Sequence, residues 1–219
     1  MGKIQLEAQK SPLLIIGGHN LATEIRETAE QVYEGEIYNV IADDDNCNYT
    51  FIRDSELKDF VSHHKDAKYI IGFTIKKLRD KYKELFKQLG IEPQTIISPC
   101  AYISSSATIG TGSFIGPHAV ISTNVHIGDY DVINFLVGIG HDAVLGDDVV
   151  VNPGAKISGH CVIGSNSLVG ANSFVHQGIS IYENSIVDAM THVRKGCKEA
   201  TLYSDKNSKQ IRVPNILTE

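Results

Sequence analysis

The sequence predicts two units of different construction: an N-terminal α/β unit with a small parallel sheet, then an all-β parallel β-helix. Two periodicities carry this. From residue 12 to about 96, short apolar runs alternate with helical stretches, the pattern of a parallel sheet with crossover helices. From Ile97 onward, every sixth residue is aliphatic. A six-residue period belongs to stacked β-coils.

The first unit opens with a strand, Leu13-Leu14-Ile15-Ile16, that ends in Gly17-Gly18-His19-Asn20. A helix follows over residues 21–33. A second strand, 37–42, ends in Asp43-Asp44-Asp45. Ser55-Glu56-Leu57 starts another helix, with Leu57, Phe60 and Val61 at helical spacing. A third strand over 69–72 precedes a long helix over 75–89. Leu78, Tyr82, Leu85, Phe86 and Leu89 mark the face expected to be buried, and Gly90 is placed to stop the helix.

The second unit steps by six from Ile97 through Ile103, Ile109 and onward to Val187 and Val193. Each of these seventeen positions is Ile, Leu or Val, without an insertion. Four residues after the aliphatic one, small side chains dominate: Ala101, Ala107, Ser113, Ala119, Ala143, Ala155, Cys161, Ser167, Ser173 and Ser185. Three short strands make one triangular coil, so residues 18 apart stack at the ~4.8 Å strand spacing. Both the aliphatic and the small position point inward. Gly directly follows the aliphatic residue at 110, 116, 128, 140, 146, 164 and 170, where it is expected to ease a sharp backbone turn.

Composition narrows the function. The 219 residues are 42% hydrophobic and 21% charged, ordinary for a folded globular chain. A net charge of -6 without a Lys/Arg cluster argues against nucleic acid as a partner. Cys47, Cys100, Cys161 and Cys197 are scattered with no CxxC pair, which fits neither a zinc site nor a disulfide framework. They read as reduced thiols of a cytoplasmic protein. Met1-Gly2-Lys3-Ile4-Gln5-Leu6 lacks an apolar signal core, and no apolar run reaches membrane-spanning length. No membrane partner is expected.

In the α/β unit, the turn Gly17-Gly18-His19 between strand and helix lets backbone amides approach a phosphate at the helix N-terminus. Asp43 or Asp44, after the second strand, is placed to accept hydrogen bonds from a ribose or base. Gly72, ending the third strand, belongs to the same crevice at the carboxyl ends of the strands. A tight turn and a solvated acidic loop would read the same way.

The hexad [LIV]-G-x-x-[small]-x resembles the left-handed β-helix of the hexapeptide-repeat acyltransferases. With the α/β unit included, residues 12–195 resemble one subgroup, the bacterial nucleotide-amino-sugar N-acetyltransferases and their sialic acid O-acetyltransferase relatives. The most specific pieces are Gly17-Gly18-His19, Asp43-Asp44, and Gly140-His141-Asp142 followed by Asn152-Pro153-Gly154-Ala155. The left hand rests on the resemblance, since crossover rules favour the right. So do the roles of the two units. It implies a Rossmann-like nucleotide-sugar-binding domain over 1–96, a left-handed β-helix holding acetyl-CoA and the catalytic groups over 97–195, and a tail over 196–219.

The resemblance also implies a chemistry. His141 would take the proton of an acceptor amine as it attacks the thioester of acetyl-CoA, a task suited to imidazole, whose ordinary pKa is ~6.5. Asp142 would fix its tautomer and stabilise the imidazolium. Asn134 matches a family position near the amine. Gly159, Ala171 and Ser180 would line the acetyl-CoA groove, with an oxyanion donor near Gly159. No metal is implied, and a homotrimer with sites between subunits is. The favoured acceptor is a UDP- or dTDP-linked 4-amino-4,6-dideoxy sugar, with a GDP-linked one as a further choice. Two family features are missing. Val150 stands where a histidine is frequent, and the C-terminal Gly-x-Pro-Ala-Lys has only Val213-Pro214 as a faint counterpart.

Three other readings stay open. Sugar O-acetylation would use the same residues. A non-catalytic scaffold or nucleotide-sugar-binding protein would use only the architecture. The zinc carbonic anhydrase that shares this prism needs three converging histidines, two of them closely spaced. His118, His126, His160, His176 and His192 also lie on the prism, without that spacing, although His160 falls one coil from His141 on the same face.

Overall fold

The structure, a computed structural model, describes residues 11–204 and the strand Ile211–Arg212. Met1 to Leu6 and Val213-Pro214, read above, lie outside those residues. The chain divides into two compact units, Met1–Ile97 and Ser98–Glu219.

In the first unit the chain runs β1 (Leu13–Ile16), α1 (Leu21–Val32), β2 (Ile37–Ile41), β3 (Phe51–Arg53), α2 (Leu57–His63), β4 (Lys68–Ile71), α3 (Lys76–Leu89) and β5 (Glu92–Pro93). The strands form one parallel sheet in the order β3-β2-β1-β4-β5. β1 is central and buried along its whole length, as a parallel strand covered on both faces must be. Strand order reverses between β1 and β4. β3 and β5 are additions to the sequence reading, because two or three residues carry no detectable period.

The face of α3 differs from expectation. Phe86 and Arg79 are its buried residues, whereas Leu78 is 39% exposed. The reason is local: Phe86 stacks on Tyr69 of β4 with ring centroids 4.1 Å apart, and the Arg79 guanidinium donates to the Phe73 carbonyl at 3.0 Å. These two contacts, seven residues apart, set which stripe faces the sheet. Gly90 ends the helix in the left-handed conformation, at φ 70°.

In the second unit, two-residue strands stack into three parallel sheets. A six-stranded sheet runs from Tyr102–Ile103 to His192–Val193, and a five-stranded one from Thr108–Ile109 to Ser180–Ile181. The third sheet has eight strands and continues past the hexads into Thr201–Tyr203 and the antiparallel Ile211–Arg212. Register is 18 residues, as Ile121 pairs with Ile139 and Ile139 with Ile157. The aliphatic positions from Ile115 to Val193 are all buried. The inward small position also takes Asp131. Its backbone N–H donates to Ser113 Oγ at 2.9 Å, and its Oδ1 accepts the Val149 N–H at 2.7 Å. Side-chain oxygens therefore cap backbone donors from coil to coil.

The glycines act differently from the sequence reading. The left-handed conformation falls three residues after the aliphatic one, at fourteen successive hexads from Gly112 to Met190, mostly on Asn, Asp and His. Asn and Asp tolerate that region better than other non-glycine residues. The glycine directly after the aliphatic residue answers a different demand. A Cβ on Gly140 would lie 2.5 Å from the Gly159 nitrogen, and one on Gly164 2.3 Å from the Glu183 nitrogen. Close approach of stacked coils, not backbone turning, selects glycine there.

Candidate active site

His141 leaves the six-stranded sheet at the edge where it meets the five-stranded one. Ile139 turns inward, Gly140 passes against the next coil, and His141 projects outward with its side chain 49% exposed. Asp142 takes the left-handed position at φ 57°, which swings its carboxylate back towards the ring. Its Oδ2 lies 2.7 Å from His141 Nδ1. The other oxygen accepts from Asn124 Nδ2 at 3.1 Å, one coil below. These two hydrogen bonds, His141 first and Asn124 second, hold the Asp142 carboxyl below its ordinary value, with added help from the neighbouring imidazoles.

One coil above, Gly159 lies against the imidazole. A Cβ there would sit 2.7 Å from His141 Nε2, so only glycine leaves room for the ring. The Gly159 N–H has no acceptor among the described residues. His160 packs edge-on to His141 with centroids 4.9 Å apart, and its backbone N–H donates to the His141 carbonyl at 2.9 Å. The arrangement presents an imidazole whose Nδ1 is engaged by a carboxylate and whose Nε2 adjoins a vacant backbone donor. That is the equipment of a general base beside an oxyanion site.

The other expected residues are dispersed over the prism. Ser180 lies on the outer face of the five-stranded sheet, in a groove of about 440 Å³ lined also by Val144, Val162, Tyr182, Glu183 and Cys197. Asn134 and Ala171 follow strands of the eight-stranded sheet, Val132–Ile133 and Leu168–Val169, and so occupy a different edge from His141. The Asn134 Oδ1 is buried without a partner among the described residues. Val150 is buried on the eight-stranded sheet, also away from the His141 edge. Sequence reasoning missed Asn124, whose signal was its place 18 residues before Asp142.

In the α/β unit, Gly17 adopts φ 121°, open only to glycine at ordinary cost. Gly18 and His19 line a pocket of about 210 Å³ together with Thr23, Asn46, Cys47, Asn48 and Tyr49. Thr23 belongs to the first turn of α1, whose amides favour an anion. Asp43 and Asp44 are not among the lining residues. Asp43 instead accepts from the Ser55 hydroxyl and N–H, at 2.7 and 3.2 Å, just ahead of α2. Asp45 is the carboxylate that reaches His19, at 3.1 Å. Gly72 is demanded by packing, since a Cβ there would lie 2.5 Å from that of Ala22. The segment Asn46 to Tyr49 carries no motif, which hid it in the sequence.

Residues 142–177 match the family model described as bacterial transferase hexapeptide (six repeats). The chain carries the hexapeptide repeat. No curated protein matches it in sequence. Several solved structures share the architecture of both units. One is a variant of perosamine N-acetyltransferase from Caulobacter crescentus in complex with CoA and GDP-perosamine, at 21% identity, 93% and 98% coverage of the two chains and a TM-score of 0.85. Another is the acetyltransferase domain of PglB from Neisseria gonorrhoeae, at 22%, 91% and 99%, and 0.82. WeeI from Acinetobacter baumannii matches at 20%, 92% and 100%, and 0.81. The hexapeptide-repeat prism is thus the expected left-handed parallel β-helix, following a parallel α/β unit.

Proposed function

We propose that this chain transfers acetyl from acetyl-CoA to the amine of a nucleotide-linked amino sugar. The 2.7 Å contact between His141 Nδ1 and Asp142 Oδ2, beside a glycine that bares Nε2, carries the reading. The reading is supported by likeness, over more than nine-tenths of the chain, to proteins described as a perosamine N-acetyltransferase and as the acetyltransferase domain of PglB. The amine nitrogen attacks the thioester carbonyl, and His141 Nε2 takes its proton. The Gly159 N–H stabilises the tetrahedral oxyanion. Collapse breaks the C–S bond, the proton passes to the CoA thiolate, and amide and free CoA leave.

Asn134 and Ala171 serve the same reaction if a second copy lends its edge. In a homotrimer, one copy's His141–Gly159 edge meets another's Asn134–Ala171 edge. Support comes from the apolar residues exposed along the latter: Phe135, Leu136 and Met190, the last 72% exposed. The α/β pocket at Gly18 and His19 takes the nucleotide phosphates and base. No helix among the described residues is long and apolar enough to cross a membrane, and free cysteines fit a reducing cytoplasm.

The assay is CoA release from acetyl-CoA with UDP-, dTDP- and GDP-linked amino sugars. Product stable to hydroxylamine marks an amide, whereas labile product marks an ester and the O-acetylating alternative. Silence across the panel, with nucleotide still bound, would favour a binding protein instead.

A further inference from the structure

His141 and its carboxylate share their edge with a second imidazole, and the three groups converge. His160 Nε2 lies 3.9 Å from the same Asp142 Oδ2 that His141 Nδ1 approaches at 2.7 Å. One ligand atom from each residue falls within 4.8 Å of the others, and no other group of three or more His, Cys, Asp or Glu among the described residues does so. We infer that His141, Asp142 and His160 form a site for a divalent transition-metal ion of the zinc class, and that its occupation shuts off acetyl transfer.

The donor set decides the class of ion. Two imidazole nitrogens and one carboxylate oxygen suit zinc, cobalt or nickel, whereas calcium and magnesium prefer oxygen throughout. Zinc binds such ligands at ~2.0–2.2 Å, so tetrahedral donors stand about 3.3 Å apart. The distances of 2.7 and 3.9 Å straddle that value. Closure needs only side-chain adjustments, available because the three side chains are 49%, 37% and 55% exposed. The fold holds the rest in place. The His160 N–H to His141 carbonyl bond, 2.9 Å, joins the two coils. Asn124 grips the second oxygen of Asp142, an outer-shell contact of the kind that orients a metal ligand.

An ion at this place would take up the Asp142 oxygen that orients His141 and tie one imidazole nitrogen of His141 to the metal. The ring would then be held away from its role as proton acceptor. The binding half of the inference is independent of the acetyl-transfer reading, and the inhibitory half rests on it.

The test is cobalt(II) titration of the EDTA-treated full chain, followed by visible absorption, with CoA release measured in parallel. One equivalent of cobalt should give ligand-field bands that zinc abolishes. His160→Asn, which suits the left-handed backbone at φ 58°, should weaken cobalt binding at least about tenfold while circular dichroism stays native. Zinc should suppress CoA release by the wild type, EDTA should restore it, and His160→Asn should need about tenfold more zinc. Equal cobalt binding by His160→Asn, or no saturable site, overturns the metal site. Bound zinc with undiminished CoA release overturns the inhibition alone. Cobalt bound as described to a chain that releases no CoA even when metal-free leaves the site standing and removes the acetyl-transfer reading.

Discussion

Gly159 and His141 stand one coil apart in such a way that a β-carbon on the first would come within 2.7 Å of Nε2 on the second. The 18-residue register makes this contact inevitable once both residues are present. It ties the hexad repeat, a property of folding, to the placement of the nitrogen proposed to react.

Gly159→Ala should therefore damage turnover more than stability. The methyl group pushes the ring aside, and a displacement of about 1 Å at a reacting group costs on the order of 10²-fold. Steady-state kinetics should show kcat falling by that order with the melting temperature within a few degrees of wild type. A variant with unchanged kcat would mean that Nε2 is not the reacting atom.

Asp142→Asn keeps a side chain suited to φ 57° and removes only the charge. If the carboxylate fixes the tautomer of His141, CoA release should fall by about 10²–10⁴. The pH dependence of stability follows from the lowered Asp142 pKa, whose main cause is the His141 hydrogen bond. A carboxyl depressed on folding stabilises above its unfolded pKa of ~3.9, and that contribution disappears as pH falls through the folded value. Wild type should thus exceed Asp142→Asn in melting temperature above about pH 4 and lose that advantage in stronger acid. Parallel curves throughout would contradict the contact.

The two glycine demands separate by mutation. Gly140→Ala forces a methyl into backbone at 2.5 Å and should destabilise by about 1–3 kcal/mol in denaturant titration. Asn166→Gly, at a left-handed corner of φ 59°, should stay within about 1 kcal/mol of wild type. The reverse ranking would restore the turning role that the sequence alone suggested.

The prism was legible because one position in six is almost invariant in kind and no insertion breaks the count. His141 and Asp142 were legible as a pair, since adjacent corner residues need only the local coil to meet. Asn124 was not, because its bond to Asp142 depends on the stacking of coils. The α/β pocket was half visible: Gly17 and Gly18 announce a turn, but Asn46, Asn48 and Tyr49 reach the pocket through an irregular segment without a period. Likewise the bonds that Asp43 accepts from Ser55, just ahead of α2, depend on tertiary placement and carry no sequence signal. The inward stripe of α3 was legible from Tyr82 to Leu89 and missed only at its start, where Arg79, with its backbone partner, takes the place expected of Leu78.

Phe135 and Leu136 test the shared site. Leu136 holds φ 59°, a conformation costly for a bulky residue by about 1–3 kcal/mol, and is 53% exposed. Phe135→Lys with Leu136→Asn should leave the fold intact by circular dichroism, convert the proposed trimer to monomer in sedimentation, and remove CoA release. Full activity as a monomer would refute completion of the site by a second copy.

The most direct measurement compares wild type with His141→Asn in CoA release at saturating acetyl-CoA and nucleotide-linked amino sugar, with CoA binding followed by calorimetry. A positioned base predicts a fall in kcat of about 10²–10⁴ with CoA affinity retained. Turnover unchanged by the substitution, in a chain that still binds CoA, would contradict the account.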